Sequence, residues 1–334
     1  MKAGVGLALN ENDKPMTQSL QEIDPQAWHV LVCGLPLSED TFELGPHLSI
    51  RRLVNPLSVF DLAAVGAVGF REWATLEPFT ASATAEVISL AEAEGLQGYD
   101  PLNRCWLVSA LLVLRGFARH LCPAVSSYSW NLIAGHQAQT SGSFREQMIE
   151  EGVESAVYRP RKTLPPFRGG LLDYHLKMLL PKQIKTEALD AAEAKWCQEH
   201  FEEFNRLAHG EERFRFALEA AIDWRYAKDP RAAIARIWAG IESLFGINSE
   251  LVYRVSLFAS TIMAERGAAR IEAYRRAKSI YGIRSKAVHG EPLSDEKLIS
   301  GLHDSFEILR TILLDCVSRR HVRKEDDYLL ELLG

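Results

Sequence analysis

Apolar positions repeat at helical spacing through much of the second half of this chain, while the first half mixes compact apolar runs with alternating ones. Residues 28–32 (WHVLV) form a short apolar run and 48–54 (LSIRRLV) a partly alternating one, so both are predicted as strands. Residues 85–90 (AEVISL) fit either a strand or a short helix, 102–120 fit a helix, and 125–133 alternate like a half-buried strand. This half is therefore expected to be an α+β domain. Residues 1–26 are polar and expected to fray. Residues 159–170 (RPRKTLPPFRGG) break regular structure and are expected to form a loop whose four positive charges offer a secondary RNA contact.

Beyond that loop the pattern predicts helices at 171–180, 186–207 and 211–226, with Thr186 as the cap of the second. Asp229 and Pro230 start another helix, as cap and first-turn proline. Its apolar residues Ile234, Ile237, Trp238, Ile241, Leu244 and Phe245 form one stripe. Ser249 is predicted to cap the next helix, where Glu250 and Arg254 are spaced to pair. Ile271, Tyr274, Ile280 and Tyr281 line the following one, which Gly290 and Pro292 stop. Ser294, Asp295 and Glu296 open a last long helix striped by Leu298, Leu302, Phe306, Leu309, Leu313 and Cys316. The reading is an α+β domain at 1–170 followed by an all-α helical bundle at 171–334.

Length and composition change this picture little. A chain of 334 residues, 47% hydrophobic and 25% charged, has room for about two globular domains. The opening residues hold no long apolar run, and the longest one, 106–114, is too short to span a membrane, so no membrane association is expected. Five scattered cysteines without a CxxC pair read as reduced thiols of a cytoplasmic protein. The ten histidines form no HxxxH or HExxH cluster, so no metal or other cofactor is expected. The absence of GxSxG and GxxxxGK[ST] argues against serine hydrolases and P-loop enzymes.

Charge is uneven. The net charge of −6 divides into +2 over residues 231–334, with 16 basic and 14 acidic residues, and −8 before them. Between 266 and 290, seven basic residues face the single acid Glu272. Such a run is either a solvated helix face or a footprint for phosphates, with Arg275, Arg276 and Lys278 as the candidate RNA contacts.

Within it lies Arg284-Ser285-Lys286-Ala287-Val288-His289-Gly290. Arginine stays charged at any working pH and histidine titrates near pH ~6.5, so one can hold a phosphate and the other move a proton. The spacing alone is weak evidence, because Arg115 and His120 repeat it at the polar end of an apolar run. Geometry adds a problem: five helical positions turn a side chain through about 500°, leaving Arg284 and His289 about 140° apart. Either His289 sits at the helix end, where Gly290 turns the chain away, or the site is composed of two subunits.

Three ordered segments supply the context: DPRAAIARIWAGIESLFG from 229, SELVYRVSLFAS from 249 and AYRRAKSIYGIRSKAVHGE from 273. Together they resemble the Apea-like branch of the HEPN superfamily, and the likeness covers roughly the last 105 residues, with its core motifs at 229–319. The resemblance implies a HEPN-type helical bundle that dimerises through its helices and sets two Arg/His pairs around one groove. It further implies a metal-independent endoribonuclease of toxin or anti-phage type, with Arg284 and His289 catalytic and an antitoxin or regulatory protein as a possible partner. Glu242 is either a solvent-edge or structural salt-bridge residue or, as the resemblance implies, a contact of Arg284 or His289. Tyr253 and Arg254 match the family's YR pair. Ser285 stands where many relatives carry Asn, Asp or His, and Lys286 is either a phosphate contact or a surface lysine. A non-catalytic RNA- or nucleotide-binding dimer and an interaction subunit are the alternatives.

Overall fold

A computed structural model of the chain describes residues 27–58, 61–62, 75–90, 100–134, 169–172, 178–247 and 249–333. The expectations for 1–26 and for most of the 159–170 loop fall outside these residues.

Six strands form an antiparallel sheet: β1 (Ala27–Cys33), β2 (Thr41–Gly45), β3 (Leu48–Arg52), β4 (Ala83–Leu90), β5 (Ala124–Ser126) and β6 (Gly169–Leu171), in the order β2-β3-β4-β1-β5-β6. From Val30 to Cys33 β1 is apolar because both of its faces are covered there. Val30 and Val32 enter the main core, while Leu31 and Cys33 enter a second cluster with Leu76, Phe79 and Trp130. Short helices α1 (Glu77–Thr80) and α3 (Trp130–Ile133) serve that second side, and α2 (Pro101–Leu114) lies against the other.

The C-terminal part is helical: α4 (Ala191–Gly210), α5 (Glu212–Asp223), a 3-10 turn (Trp224–Tyr226), α6 (Pro230–Phe245), α7 (Leu251–Met263), α8 (Ala268–Val288), α9 (Asp295–Arg319) and α10 (Glu325–Leu333). An α+β region followed by a helical one is the architecture found. Strand β6 runs across residue 170, and one continuous core joins sheet and helices, with Phe201 of α4 packed against Gly45 of β2. Among the described residues no helix is long and apolar enough to cross a membrane, and all five cysteines are free thiols.

Several expectations are corrected. Residues 125–133 are a three-residue strand and then a turn of helix, because Ser129 caps α3 and the buried carboxylate of Glu86 draws in the Ser129 hydroxyl (2.8 Å) and the Trp130 amide (2.7 Å). The helix predicted at 102–120 stops at Leu114, where Gly116 turns left-handed with φ +100°. Residue 171 lies in β6 and 178–180 are not helical, so 171–180 is not the helix expected; 173–177 lie outside the described residues. The 186–207 helix begins only after Asp190, whose carboxylate accepts from the Glu193 amide at 2.9 Å and displaces Thr186 as the cap. Ser249 does not cap α7, which starts from Glu250 in a left-handed conformation with φ 51°. Ile271 is exposed, and does not line the buried side of its helix.

Candidate functional site

The candidate site is carried by α6 and α8. Asp229 caps α6 by accepting from the Arg231 and Ala232 amides (2.8 and 3.0 Å), and Pro230 occupies the first turn. Its apolar stripe is buried, and Gly246, left-handed at φ 63°, ends it. Glu242 lies at the edge of that stripe, half-buried and facing α8.

There it meets Arg284. The guanidinium Nη2 lies 3.0 Å from one Glu242 oxygen and 3.3 Å from the other. The Tyr281 hydroxyl donates to the same carboxylate at 3.1 Å, and the guanidinium carbon sits 5.2 Å from the Tyr281 ring centre. Burial, followed by the neighbouring Glu242 charge, raises the Tyr281 pKa, which keeps this phenol a donor. Tyr281 rests edge-on against Trp238, whose indole N–H donates to Ser305 of α9 at 2.8 Å. Arg284 is thus held by the Glu242 carboxylate and the Tyr281 ring, and among the described residues its buried Nε–H has no acceptor.

His289 occupies the C-cap of α8, and its amide still donates to the Ser285 carbonyl at 3.0 Å. The helical register therefore carries through His289, and the left-handed turn comes one residue later, at Gly290 with φ 72°. The imidazole is exposed, and among the described residues nothing hydrogen-bonds its ring. Within one chain no hydrogen bond or ion pair joins His289 to Arg284.

Helical phase places His289 elsewhere. At about 100° per residue, Arg275, Lys278, Lys286 and His289 fall within roughly 80° of one another, with Arg284 about half a turn away. All four are exposed. Arg275 lies 3.9 Å from Glu272, and the Lys278 ammonium is 6.0 Å from the Tyr274 ring centre. Arg276 is off this stripe and ion-paired to Asp304 of α9 at 2.6 Å. Arg270 likewise pairs with Glu331 of α10 at 2.8 Å. The basic run of the sequence is thus partly neutralised by acids from other helices, and besides Arg266, which precedes α8, what remains is a stripe of Arg275, Lys278 and Lys286 ending at His289.

Tyr253 and Arg254 are turned to other tasks. Tyr253 is exposed and meets Tyr274 edge-on, in a cleft that also holds Ile271 and Leu257. Arg254 ion-pairs with Glu325 of α10 and donates to the Ser249 hydroxyl at 3.3 Å, so the expected pairing with Glu250 does not form. Ser285 is half-buried and contributes its carbonyl to the helix end. Lys286 is exposed, and its carbonyl accepts from the Glu291 amide at 2.9 Å.

Two contributors went unnoticed in the sequence. Tyr281 reads there as one more apolar position. Arg231 reads as a surface arginine in a first turn, yet its guanidinium reaches the carbonyls of Lys286 (3.4 Å), Ala287 (3.2 Å) and Glu291 (2.9 Å). It thereby fixes the backbone on both sides of His289. The pair at Arg115 and His120 is arranged quite differently: Arg115 is ion-paired to Glu193 at 2.9 Å, and His120 is buried. Comparison with family models, curated proteins and solved structures finds no match for this chain.

Proposed function

We propose that this chain is a metal-independent HEPN-type endoribonuclease that acts as a homodimer, with a toxin or anti-phage role. The observation that carries the reading is an unpartnered, exposed imidazole at the end of a cationic helix stripe, on a backbone fixed by Arg231. His289 takes the proton of an RNA 2′-hydroxyl, whose oxygen attacks the adjacent phosphorus. The P–O5′ bond breaks, leaving a 2′,3′-cyclic phosphate and a 5′-hydroxyl that receives a proton from the second subunit's imidazole. Arg284 stabilises the charge gathering on the phosphoryl oxygens. Because Arg284 and His289 face different ways on α8, a twofold arrangement is what lets them serve one phosphate. Arg275, Lys278 and Lys286 guide the RNA backbone, and single-stranded or looped RNA reaches in-line geometry most readily.

A second reading, an RNA-binding dimer that does not cut, is favoured by the ion pair of Arg284 with Glu242, which occupies the fork that would clamp phosphate. One experiment separates the two. The purified chain is incubated with single-stranded RNA in EDTA, its mass is followed by light scattering, and product ends are read by mass spectrometry. Cyclic-phosphate ends from a dimer are expected, with DNA left intact. Binding without product favours the second reading. Activity lost in chelator and restored by magnesium, or held by a monomer, overturns the first.

A further inference from the structure

A cavity of about 380 Å³ lies where β1, α2, the loop after α2 and the 3-10 turn meet, well away in sequence from Arg284 and His289. Its size is within the roughly 300–1,000 Å³ typical of small-molecule sites. Leu102 and Trp106 of α2 and Leu172 give it an apolar wall, and Ser109, His120, Cys122 and Arg225 a polar one.

The protonation of the polar wall follows from its geometry. His120 Nδ1 lies 2.7 Å from the Phe117 carbonyl, which can only accept, so Nδ1 carries the proton. Nε2 is then bare and accepts the Ser109 hydroxyl at 2.7 Å. Burial and the neighbouring Arg225 charge push the His120 pKa down to about 4, and burial pushes the Cys122 thiol up to about 11, so both groups are neutral.

Among the described residues Arg225 is the one cation of this wall, and it is buried. Its oxygen partners are all neutral: the Ala118 carbonyl (3.0 Å), the Ile222 carbonyl (3.3 Å) and the Tyr226 hydroxyl (3.3 Å). The Met178 sulfur lies 3.8 Å from Nη1. Among the described residues no carboxylate pairs with it. Asp223, in the same wall, pairs its carboxylate with Arg236 at 3.2 Å. A guanidinium has five N–H donors, and these four contacts leave one, on Nη2. Asp223 therefore acts on Arg225 only through space, and a buried charge with no bonded counter-ion is costly to hold, so facing a cavity it attracts an anion.

We propose that this cavity binds a small organic monoanion, a carboxylate on an apolar or aromatic body. The carboxylate sits on Arg225, and the body lies against Leu102 and Trp106. A dianion such as a phosphate monoester is disfavoured, because a single cation beside a neutral histidine and a rim aspartate leaves its second charge uncompensated.

The test uses the full chain with benzoate, indole-3-acetate and octanoate, each beside its neutral amide, followed by titration calorimetry. One-to-one binding of at least one acid is expected, with its amide weaker by roughly tenfold or more. Leu102→Trp, which narrows the cavity from its apolar wall and leaves the Arg225 side chain in the protein, should abolish that binding while the circular dichroism stays native. Arg225→Met, where it folds, should weaken the acid and leave the amide unchanged. Acid and amide binding equally, binding that survives Leu102→Trp, or no saturable binding of any of the three acids at about 10 mM overturns the proposal.

Discussion

Glu242 of α6 and Arg284 of α8 form an ion pair at 3.0 Å in which both side chains are only about one-fifth exposed. Removing either partner leaves the other half-buried without its counter-charge, and removing Glu242 also strips Tyr281 of its acceptor. Glu242→Ala and Arg284→Ala should each destabilise the fold, and the double variant should cost less than their sum. A coupling of about 1–2 kcal/mol is expected from urea denaturation of the four proteins. Strict additivity would mean that the pair contributes nothing to the fold.

Arg231 makes a separate claim on the same region. Its three carbonyl contacts close the end of α8 around His289. Arg231→Ala should leave the global unfolding free energy within about 1 kcal/mol of wild type, since the residue lies at a helix start rather than in the core. Amide hydrogen exchange at 288–291 should accelerate by roughly tenfold, because local opening no longer breaks those bonds. Unchanged exchange there would show that the turn is held without it.

How much of this was legible in the sequence depends on the range of the forces involved. The stripe of α6 and its Asp229–Pro230 start were readable because capping and helical periodicity act within a few residues. The stripe of α9 was readable for the same reason. The error at 125–133 came from Glu86, some forty residues earlier, whose buried carboxylate recruits the Ser129 hydroxyl and the Trp130 amide. The basic run of 266–290 was counted correctly, but its neutralising acids, Asp304, Glu331 and Glu242, lie on other helices. A window of sequence cannot report that. Phase calculation did anticipate that Arg284 and His289 point apart, since helix geometry depends on position alone.

Acid should destabilise the protein in two windows. Burial raises the Glu86 pKa, but the hydrogen bond and charge of His29, with Arg51 and Ser129, more than offset it and hold the group at about 2 instead of 4.5. A depressed carboxylate contributes stability that is present above the unfolded value and lost as pH falls from about 4.5 towards 2. His120, held at about 4 instead of 6.5, is neutral when folded, so the unfolded chain takes up its proton first and stability falls between those values. Denaturant midpoints should therefore fall between pH 7 and 4.5, and His120→Gln should flatten that first decline while leaving the loss below pH 4.5. A flat profile in wild type between pH 7 and 4.5 would refute the His120 assignment.

The two Arg/His pairs give the sharpest test of the site, because they share a spacing and differ in environment. His289 is exposed and unpartnered, so His289→Ala should change stability by no more than about 0.5 kcal/mol. It removes the proton carrier and leaves the cationic stripe intact, so RNA should still bind while cleavage falls by roughly two orders of magnitude or more. Arg284→Ala should weaken both, since a guanidinium that clamps phosphate serves ground state and transition state alike. His120 is buried between Ser109 and the Phe117 carbonyl, so His120→Ala should instead cost about 1–3 kcal/mol of stability. Wherever that variant remains folded, cleavage should stay within a few-fold of wild type. Cleavage abolished by His120→Ala in folded protein, together with full activity in His289→Ala, would move the chemistry from the end of α8 to the loop after α2.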